Sequence, residues 1–140
     1  MKIYKSKIGL ELVIPLLIVF GTVIILILNE KSSWLGLIIL FPVILFVVHM
    51  FMTTYYVINE YNLTIKCGFL INLTLDIRTI KKISETNNLL SSPATSIDRI
   101  EIMFGNFDSV IISPKDKKEF INDILALNPR VEVIYKKRKI

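Results

Sequence analysis

The sequence has few of the residues that bind metals or attack substrates: it contains one cysteine and one histidine in 140 residues. A single cysteine, Cys67, excludes an intramolecular disulfide and a thiolate metal cluster. The histidine, His49, falls in an apolar segment, so a Cys–His nucleophile pair and a histidine-rich metal site are excluded elsewhere. No glycine-rich phosphate loop follows a predicted strand. We therefore predict that the chain is not an enzyme: it has no catalytic residue, no metal site, no cofactor and no small-molecule substrate.

The basic residues are unevenly distributed. The formal net charge is +5, yet residues 55–130 contain nine basic and nine acidic residues and are neutral. The excess lies at the two ends, as Lys2, Lys5 and Lys7 and as the tail Lys136, Lys137, Arg138 and Lys139. Flanking charge of this kind suits anionic lipid headgroups better than a nucleic-acid groove. We expect the lipid bilayer as a partner and no nucleic acid, and we take the tail as a candidate lipid contact, with a merely solvated tail as the alternative.

Two long apolar segments dominate the first part of the chain, at residues of about 9–28 and 34–54. About 20 apolar residues at 1.5 Å each match the thickness of a bilayer. A signal peptide is disfavoured because no small-x-small cleavage site follows the first segment and a second segment begins at once. The short connection makes the two helices antiparallel. Residues 1–54 are therefore predicted to form a transmembrane helical hairpin.

Lysine bias predicts the orientation of this hairpin. Lysines precede the first segment, the turn carries only Lys31, and bases follow the second segment. The positive-inside rule then places both termini and the following domain in the cytoplasm, in a multi-pass protein of the cell membrane. Within the second segment, His49 lies about one turn from the cytoplasmic end. A polar residue there can indicate function, but a neutral histidine bonded to the neighbouring helix is the simpler interpretation.

From Tyr55 onward the apolar residues recur with a period of two, which is typical of antiparallel strands with one buried face. Hairpin turns are predicted at Tyr61–Asn62 and at 68–70, and a two-residue turn at Gly105–Asn106. The periodicity then changes. Ser113 is predicted to cap a helix whose first residue is Pro114. The apolar stripe of that helix consists of Phe120, Ile121, Ile124, Leu125 and Leu127.

The predicted helix ends at Asn128-Pro129, and residues 131–135 can add a short strand. The fold class is thus an α+β membrane protein. It has an N-terminal two-helix transmembrane hairpin, and then a curved antiparallel β-sheet over residues 55–135 that is closed by a C-terminal α-helix. A basic tail follows at residues 136–140.

Two features of the predicted domain are candidate interaction sites. Arg78, Lys81 and Lys82 form its only basic cluster. Residues 84–96 form a long stretch without periodicity, and loops of this length are often functional or mobile. Leu89 and Leu90 in this loop are placed to contact a membrane or a partner. Alternatively, they fold back to cover an open sheet edge.

The segments YYVINEYNLTIKCGFL, IDRIEIMF and VIISPKDKKEFINDILALNP, placed after two apolar spans, resemble the YyaB-like bacterial pleckstrin-homology (PH) family. The most specific part is Ile112-Ser113-Pro114 followed by Phe120 and Asn128-Pro129. The resemblance implies a cytoplasmic PH-like fold and carries over no catalytic residue. Similar small membrane-anchored PH-like proteins protect bacteriocin producers, so the resemblance also implies immunity as an alternative function.

The resemblance does not carry over phosphoinositide binding. Eukaryotic PH domains that bind those lipids use a basic loop between the first two strands, and we expect the acidic turn at Glu60-Tyr61-Asn62 in that place. The expected function is a non-enzymatic, membrane-anchored cytoplasmic PH-like protein that binds a protein partner or the membrane surface. The alternative is immunity to a lantibiotic-like bacteriocin.

Overall fold

A computed structural model describes residues 1–29, 34–88 and 94–135. In these residues the chain forms, in order, β1 (Lys2–Lys5), α1 (Leu10–Asn29), α2 (Trp34–Met52), β2 (Thr54–Asn59), β3 (Asn62–Cys67), β4 (Ile71–Asp76), a short 3-10 helix (Ile77–Thr79), β5 (Ile80–Thr86), β6 (Arg99–Phe104), β7 (Asp108–Ile112), α3 (Lys117–Leu127) and β8 (Glu132–Ile134).

Helices α1 and α2 confirm the predicted hairpin. Both are long and apolar enough to cross a membrane, and none of their residues is buried within the protein. The second segment was predicted to reach residue 54, but α2 ends at Met52 and β2 already begins at Thr54. The helix ends there because the hydroxyls of Thr53 and Thr54 donate to the last carbonyl groups of α2.

The first sheet has the strand order β1-β2-β3-β4, and all its pairs are antiparallel. The alternation of apolar residues predicted β2, β3 and β4. Strand β1 was not predicted, because its residues were interpreted as charges flanking a membrane span. Lys2 lies opposite Ile58 and Lys5 opposite Tyr55, so the N-terminal residues belong to the sheet.

The second sheet has the order β7-β6-β5-β8, and β8 runs parallel to β5. Strand β8 confirms the short strand predicted within residues 131–135. Strand β5 extends to Thr86, so the irregular stretch that we placed at residues 84–96 begins three residues later than predicted. Residues 84–86 are all half-buried and polar, which leaves no apolar alternation to reveal the strand.

The two sheets meet where the end of β1 pairs with the segment after β7. Ser6 and Pro114 form an isolated antiparallel bridge. The Lys7 N–H donates to Ser113 O at 2.7 Å, and the Lys115 N–H donates to Lys5 O at 3.0 Å. This pairing keeps residues 113–115 extended. The prediction that Ser113 caps a helix starting at Pro114 was therefore wrong, and α3 begins at Lys117.

The predicted turns were correct to within one residue. The turn at 68–70 is confirmed, since Cys67 pairs with Ile71. The turn predicted at Tyr61–Asn62 lies one residue earlier, at Glu60–Tyr61, and Glu60 takes a positive φ of 53°. The turn predicted at Gly105–Asn106 contains a third residue, Phe107, because Phe104 pairs with Asp108.

The core lies between the two sheets and α3. Its largest fully buried side chains include Tyr56, Phe120, Leu63 and Ile65. Helix α3 buries Phe120, Ile121 and Ile124 as predicted, while Leu125 and Leu127 pack at the edge of the core. The helix ends at Leu127 with Asn128 as its C-cap, which confirms the predicted stop. The Asn128 amide donates to Ile77 O and Ile80 O, and thereby ties the helix end to the sheets.

Candidate functional site

The candidate site is the junction between the helical hairpin and the domain, which we define as residues 6–11 and 50–54. Strands β1 and β2 are antiparallel neighbours; α1 follows β1 and α2 precedes β2. The hairpin is therefore inserted between two adjacent strands of one sheet. The hairpin therefore occupies the connection between the first and second strands. We had expected the turn at Glu60-Tyr61-Asn62 in that place and had compared it with the basic loop of lipid-binding PH domains. That comparison was wrong, because this turn joins the second and third strands.

A buried hydroxyl cluster fixes the chain where β1 ends. Ser6 Oγ lies 3.0 Å from Tyr56 Oη, 2.8 Å from Thr95 Oγ1 and 3.0 Å from Ser113 Oγ. Tyr56 Oη also accepts the Ser113 N–H at 3.1 Å, and Ser113 Oγ accepts the Thr95 N–H at 3.1 Å. Burial raises the pKa of Tyr56, so its hydroxyl stays protonated. A buried polar cluster that is fully hydrogen-bonded favours one rigid arrangement of the segments that it joins.

The first turn of α1 is tied to the segment just before β6. The Gly9 N–H donates to Thr95 O at 2.9 Å, and a Cβ on Gly9 would lie 2.6 Å from Glu11 Oε1 and 2.8 Å from Ser96 Oγ. Glu11 Oε1 accepts the Ser96 hydroxyl at 2.8 Å and the Ile97 N–H at 3.1 Å. A side chain at residue 9 would displace the Glu11 carboxylate from Ser96, so glycine here favours this attachment of α1 to the domain.

The end of α2 is held against the turn between β3 and β4. Thr54 Oγ1 donates to Met50 O at 2.7 Å and contacts Cys67 Sγ at 3.2 Å. Gly68 has a φ of 56°, and a Cβ there would lie 2.5 Å from Met50 Sδ. Helix and sheet therefore join without a flexible linker.

Among the residues that the structure describes, His49 makes no side-chain hydrogen bond to α1, contrary to the expected contact with the neighbouring helix. The side chain is exposed, and its ring lies beside Phe69 of the β3–β4 turn, with 6.1 Å between the ring centroids. Phe46, about one turn earlier on α2, contacts the same ring edge-on at 5.8 Å. The exposed face of α2 thus packs against the domain rather than against α1 at this point.

Four charged side chains link the junction to the second sheet and to α3. Lys7 Nζ lies 3.1 Å from Asp98 Oδ2, and Lys117 Nζ contacts Asp98 Oδ1 and, at 2.8 Å, Glu85 Oε1. Burial opposes the ionisation of Asp98, but hydrogen bonds from Lys117 and Lys7 lower its pKa. Burial likewise opposes the charge of Lys117, yet its bonds to Asp98 and Glu85 raise its pKa. Asp98 and Lys117 therefore form an ion pair at neutral pH.

The predicted basic cluster lies far from the junction. Ile77 donates its N–H to Tyr61 O at 2.7 Å, which places the cluster at the end of β2 opposite to α2. Arg78 makes a double hydrogen bond to Asp76 and its guanidinium stacks over the Tyr61 ring at 5.1 Å. This bond lowers the pKa of Asp76. Lys81 is exposed and Lys82 is half-buried opposite Glu132. Arg78 is thus paired, and Lys81 is the most open cation of the three.

The other predicted interaction residues, Leu89, Leu90, Lys136, Lys137, Arg138 and Lys139, lie outside the described residues. Two features next to the junction were not predicted. The first is β1. The second is Arg99, which is buried and donates to Ser96 O at 2.5 Å and to Asn88 O at 3.1 Å. The sequence did not indicate this role. Arg99 stands beside the alternating Ile100 and Ile102, and nothing in that pattern shows that it donates hydrogen bonds to backbone carbonyl groups.

A family model described as "Bacterial PH domain" matches residues 54–128. The match covers more than half of the 140 residues and runs from the start of β2 to the end of α3, whereas β1 and the hairpin precede it. A search of curated proteins found no match.

Proposed function

Because the chain belongs to the bacterial PH domain family, we propose that it is a non-enzymatic binding module that α1 and α2 anchor in the cell membrane. Its ligand is a protein partner at the membrane or the membrane surface itself. The motif Ile112-Ser113-Pro114 with Phe120 and Asn128-Pro129 supports an assignment to the YyaB-like subfamily.

One observation supports this function above the others: the hairpin interrupts the domain between β1 and β2. Both helices are fixed to the domain by hydrogen bonds. Gly9 and Glu11 bind the segment before β6 on one side, and on the other side Thr54, the first residue of β2, binds the Met50 carbonyl group of α2. A domain on a flexible linker would sample many positions and orientations relative to the membrane. This domain is instead presented to the bilayer in one orientation, as suits a module that recognises something at the membrane surface.

We propose that the domain lies in the cytoplasm. Residues 2–5 belong to the first sheet, so Lys2 and Lys5 lie on the same side of the membrane as the domain. The hairpin turn has only Lys31. The positive-inside rule then favours the cytoplasm for the domain.

A cysteine at Phe107 tests this orientation, because Phe107 is 96% exposed and Cys67 is buried. In a Cys67→Ser background, a membrane-impermeant maleimide added to intact cells should leave Phe107→Cys unlabelled. The same reagent should label it in inverted vesicles. Labelling in intact cells would place the domain outside and refute the cytoplasmic assignment.

For a protein partner, we propose the basic cluster of Arg78, Lys81 and Lys82 as the contact. It lies at the end of the domain opposite to α2, where a soluble protein has access. The Leu89–Leu90 loop and the Lys136–Lys139 tail remain proposed contacts with the bilayer. The direction of β8 supports the proposal for the tail. This strand runs parallel to β5, toward the end of the second sheet where Thr95 and Ser96 contact the start of α1.

Photo-cross-linking in growing cells tests the binding function. A benzoylphenylalanine at Lys81 should give a discrete protein adduct, whereas one at the exposed Lys118 of α3 serves as the matched control. The same probe in place of Lys136 reports lipid contact. If all three positions gave no protein adduct and no lipid adduct, the chain would not be a binding module at the membrane.

Immunity to a lantibiotic-like bacteriocin is the second candidate. Its support is a hairpin with no buried residue in either helix, since a membrane-active peptide would meet these helices in the bilayer. Expression in a bacteriocin-sensitive strain tests it. Unchanged killing by every candidate peptide would remove this function.

A further inference from the structure

We propose that the turn between β3 and β4, residues Gly68-Phe69-Leu70, inserts into the acyl region of the leaflet beside the domain and serves as a third membrane attachment. Its ligand is the lipid bilayer. The proposal rests on the proposed membrane anchoring and adds a point of contact that the two helices do not supply.

The depth of the turn follows from its contacts with α2. With 19 residues at 1.5 Å each, α2 is about 28 Å long, and the hydrocarbon core of a bilayer is about 30 Å thick. The whole helix is needed to cross, so Met52 lies near the hydrocarbon boundary. Phe46 precedes Met52 by six residues, which places it about 9 Å deeper. The ring of Phe69 packs against Phe46 and therefore lies below that boundary.

The exposure of the turn is what an apolar insertion requires. Phe69 is 73% exposed and Leu70 is 60% exposed, although both are large and apolar. Phe46, the α2 residue whose ring packs against Phe69, is itself apolar and 41% exposed. Lipid that covers α2 thus continues over the turn without a break.

The residues just above the turn suit the headgroup layer. Tyr55 and Lys66 are paired across β2 and β3, one step from the pair that closes the turn. Lys66 Nζ lies 5.8 Å from the centre of the Tyr55 ring. Aromatic and basic side chains are typical of the membrane–water interface. The order from the domain to the bilayer is therefore interfacial Tyr55 and Lys66, and then apolar Phe69 and Leu70.

Close packing keeps the turn at this depth. Gly68 leaves no space between the backbone and Met50 Sδ, and the Thr54 hydroxyl bridges Met50 O and Cys67 Sγ. The turn therefore cannot swing away from α2 unless these contacts break. A third attachment adds resistance to tilting of the domain about the line that joins the two helices.

The turn between β6 and β7 supplies a matched control. It also has three residues, begins with a glycine of positive φ and ends in an exposed phenylalanine at Phe107. The Gly105 N–H donates to Thr79 O at 3.2 Å, close to the Tyr61 end of β2 and remote from α2. An exposed phenylalanine in a hairpin turn is thus present both beside the helix and away from it.

Tryptophan fluorescence in vesicles tests the proposal, since Trp34 is the only tryptophan. In a Trp34→Phe background of the full chain, a single tryptophan is placed at Phe69, at Phe107 or at Leu45 of α2. The vesicles contain phosphatidylglycerol and phosphatidylcholine with brominated acyl chains, and iodide serves as the aqueous quencher. We expect Phe69→Trp to lose most of its emission to the brominated chains and little to iodide, and Phe107→Trp to show the reverse.

Leu45→Trp separates this proposal from the membrane anchoring on which it rests. If Leu45→Trp is quenched by brominated chains while Phe69→Trp is quenched by iodide, the helix is embedded and the insertion of the turn is wrong. If brominated chains quench neither tryptophan, the anchoring and the insertion are both wrong. Equal quenching of Phe69→Trp and Phe107→Trp by brominated chains would also overturn the proposal, because depth would not depend on contact with α2.

Discussion

Replacing Tyr4 should destabilise the domain strongly, although this residue precedes a helix that appears from the sequence to be a plain membrane anchor. Tyr4 is 7% exposed, and its ring packs edge-on against Phe120 with 5.3 Å between centroids. Its hydroxyl donates to Asp123 Oδ2 at 2.6 Å. Removing a buried aromatic ring generally costs about 3–5 kcal/mol. Since β1 is an edge strand, we expect about 3 kcal/mol for Tyr4→Ala.

Two further variants divide this effect. Tyr4→Phe keeps the ring and removes one hydrogen bond; Asp123 retains Lys2 at 2.8 Å, so the expected cost is about 1 kcal/mol. Ile3→Ala changes the same strand on its outer side, where Ile3 is 58% exposed. A surface change of this kind should alter the free energy of unfolding by less than about 0.5 kcal/mol.

The buried Cys67 supplies the assay, because it is the only thiol. Its rate of reaction with a neutral maleimide in mild detergent reports the fraction of protein whose domain is open. Each 1.4 kcal/mol is a factor of ten, so Tyr4→Ala should be labelled roughly 100-fold faster than the parent protein. If Tyr4→Ala and Ile3→Ala were labelled equally fast, β1 would not belong to the core and the interpretation of the N-terminal residues would be wrong.

Three further predictions concern the junction. Gly68→Ala should destabilise the domain more than Gly105→Ala. An alanine at either position costs about 1 kcal/mol because both residues have a positive φ. Only at residue 68 does the new Cβ also meet Met50 Sδ. Thermal unfolding followed by circular dichroism compares the two, and equal melting temperatures would contradict the close packing. Ser6→Ala should cost about 1–3 kcal/mol, because it removes the common partner of three buried hydroxyls; a neutral effect in the Cys67 assay would argue against the cluster. The pKa of Asp98 is lowered in the folded protein, so its contribution to stability is present above the unfolded value of about 3.9 and is lost as the pH falls through the folded pKa. Asp98→Asn should therefore make stability less dependent on pH in that acidic range, and an unchanged acid dependence in denaturant titrations would contradict this.

The sequence was sufficient to predict an element of secondary structure where its apolar residues followed a single pattern along the whole element. Strands β3 and β6 bury alternate residues such as Leu63, Ile65, Ile100 and Ile102, so a period of two predicted them. The hairpin was predicted from length and composition alone. These features depend on residues that are neighbours in sequence.

The features that were missed depend on pairing between distant residues. Strand β1 has four residues and buries only Tyr4, which is too little to show an alternation. The start of α3 was misplaced because Ser113 and Pro114 carry the signals of a helix start, yet their backbone pairs with residues 5–7. The candidate site was missed for the same reason: Ser6, Thr95 and Ser113 are ordinary polar residues until the fold brings their hydroxyls together.

The most direct test of the account is a disulfide between β1 and β2 in native membranes. Ile3 lies opposite Val57 in the register of the first sheet, and Thr64 lies one strand further, about 10 Å from Ile3 at two strand spacings. Paired cysteines must have Cα atoms within about 7 Å. In a Cys67→Ser background, mild oxidation should cross-link Ile3→Cys with Val57→Cys and should not cross-link Ile3→Cys with Thr64→Cys. Absence of the first cross-link, or equal yields of both, would contradict the insertion of the helical hairpin between two paired strands of the PH domain.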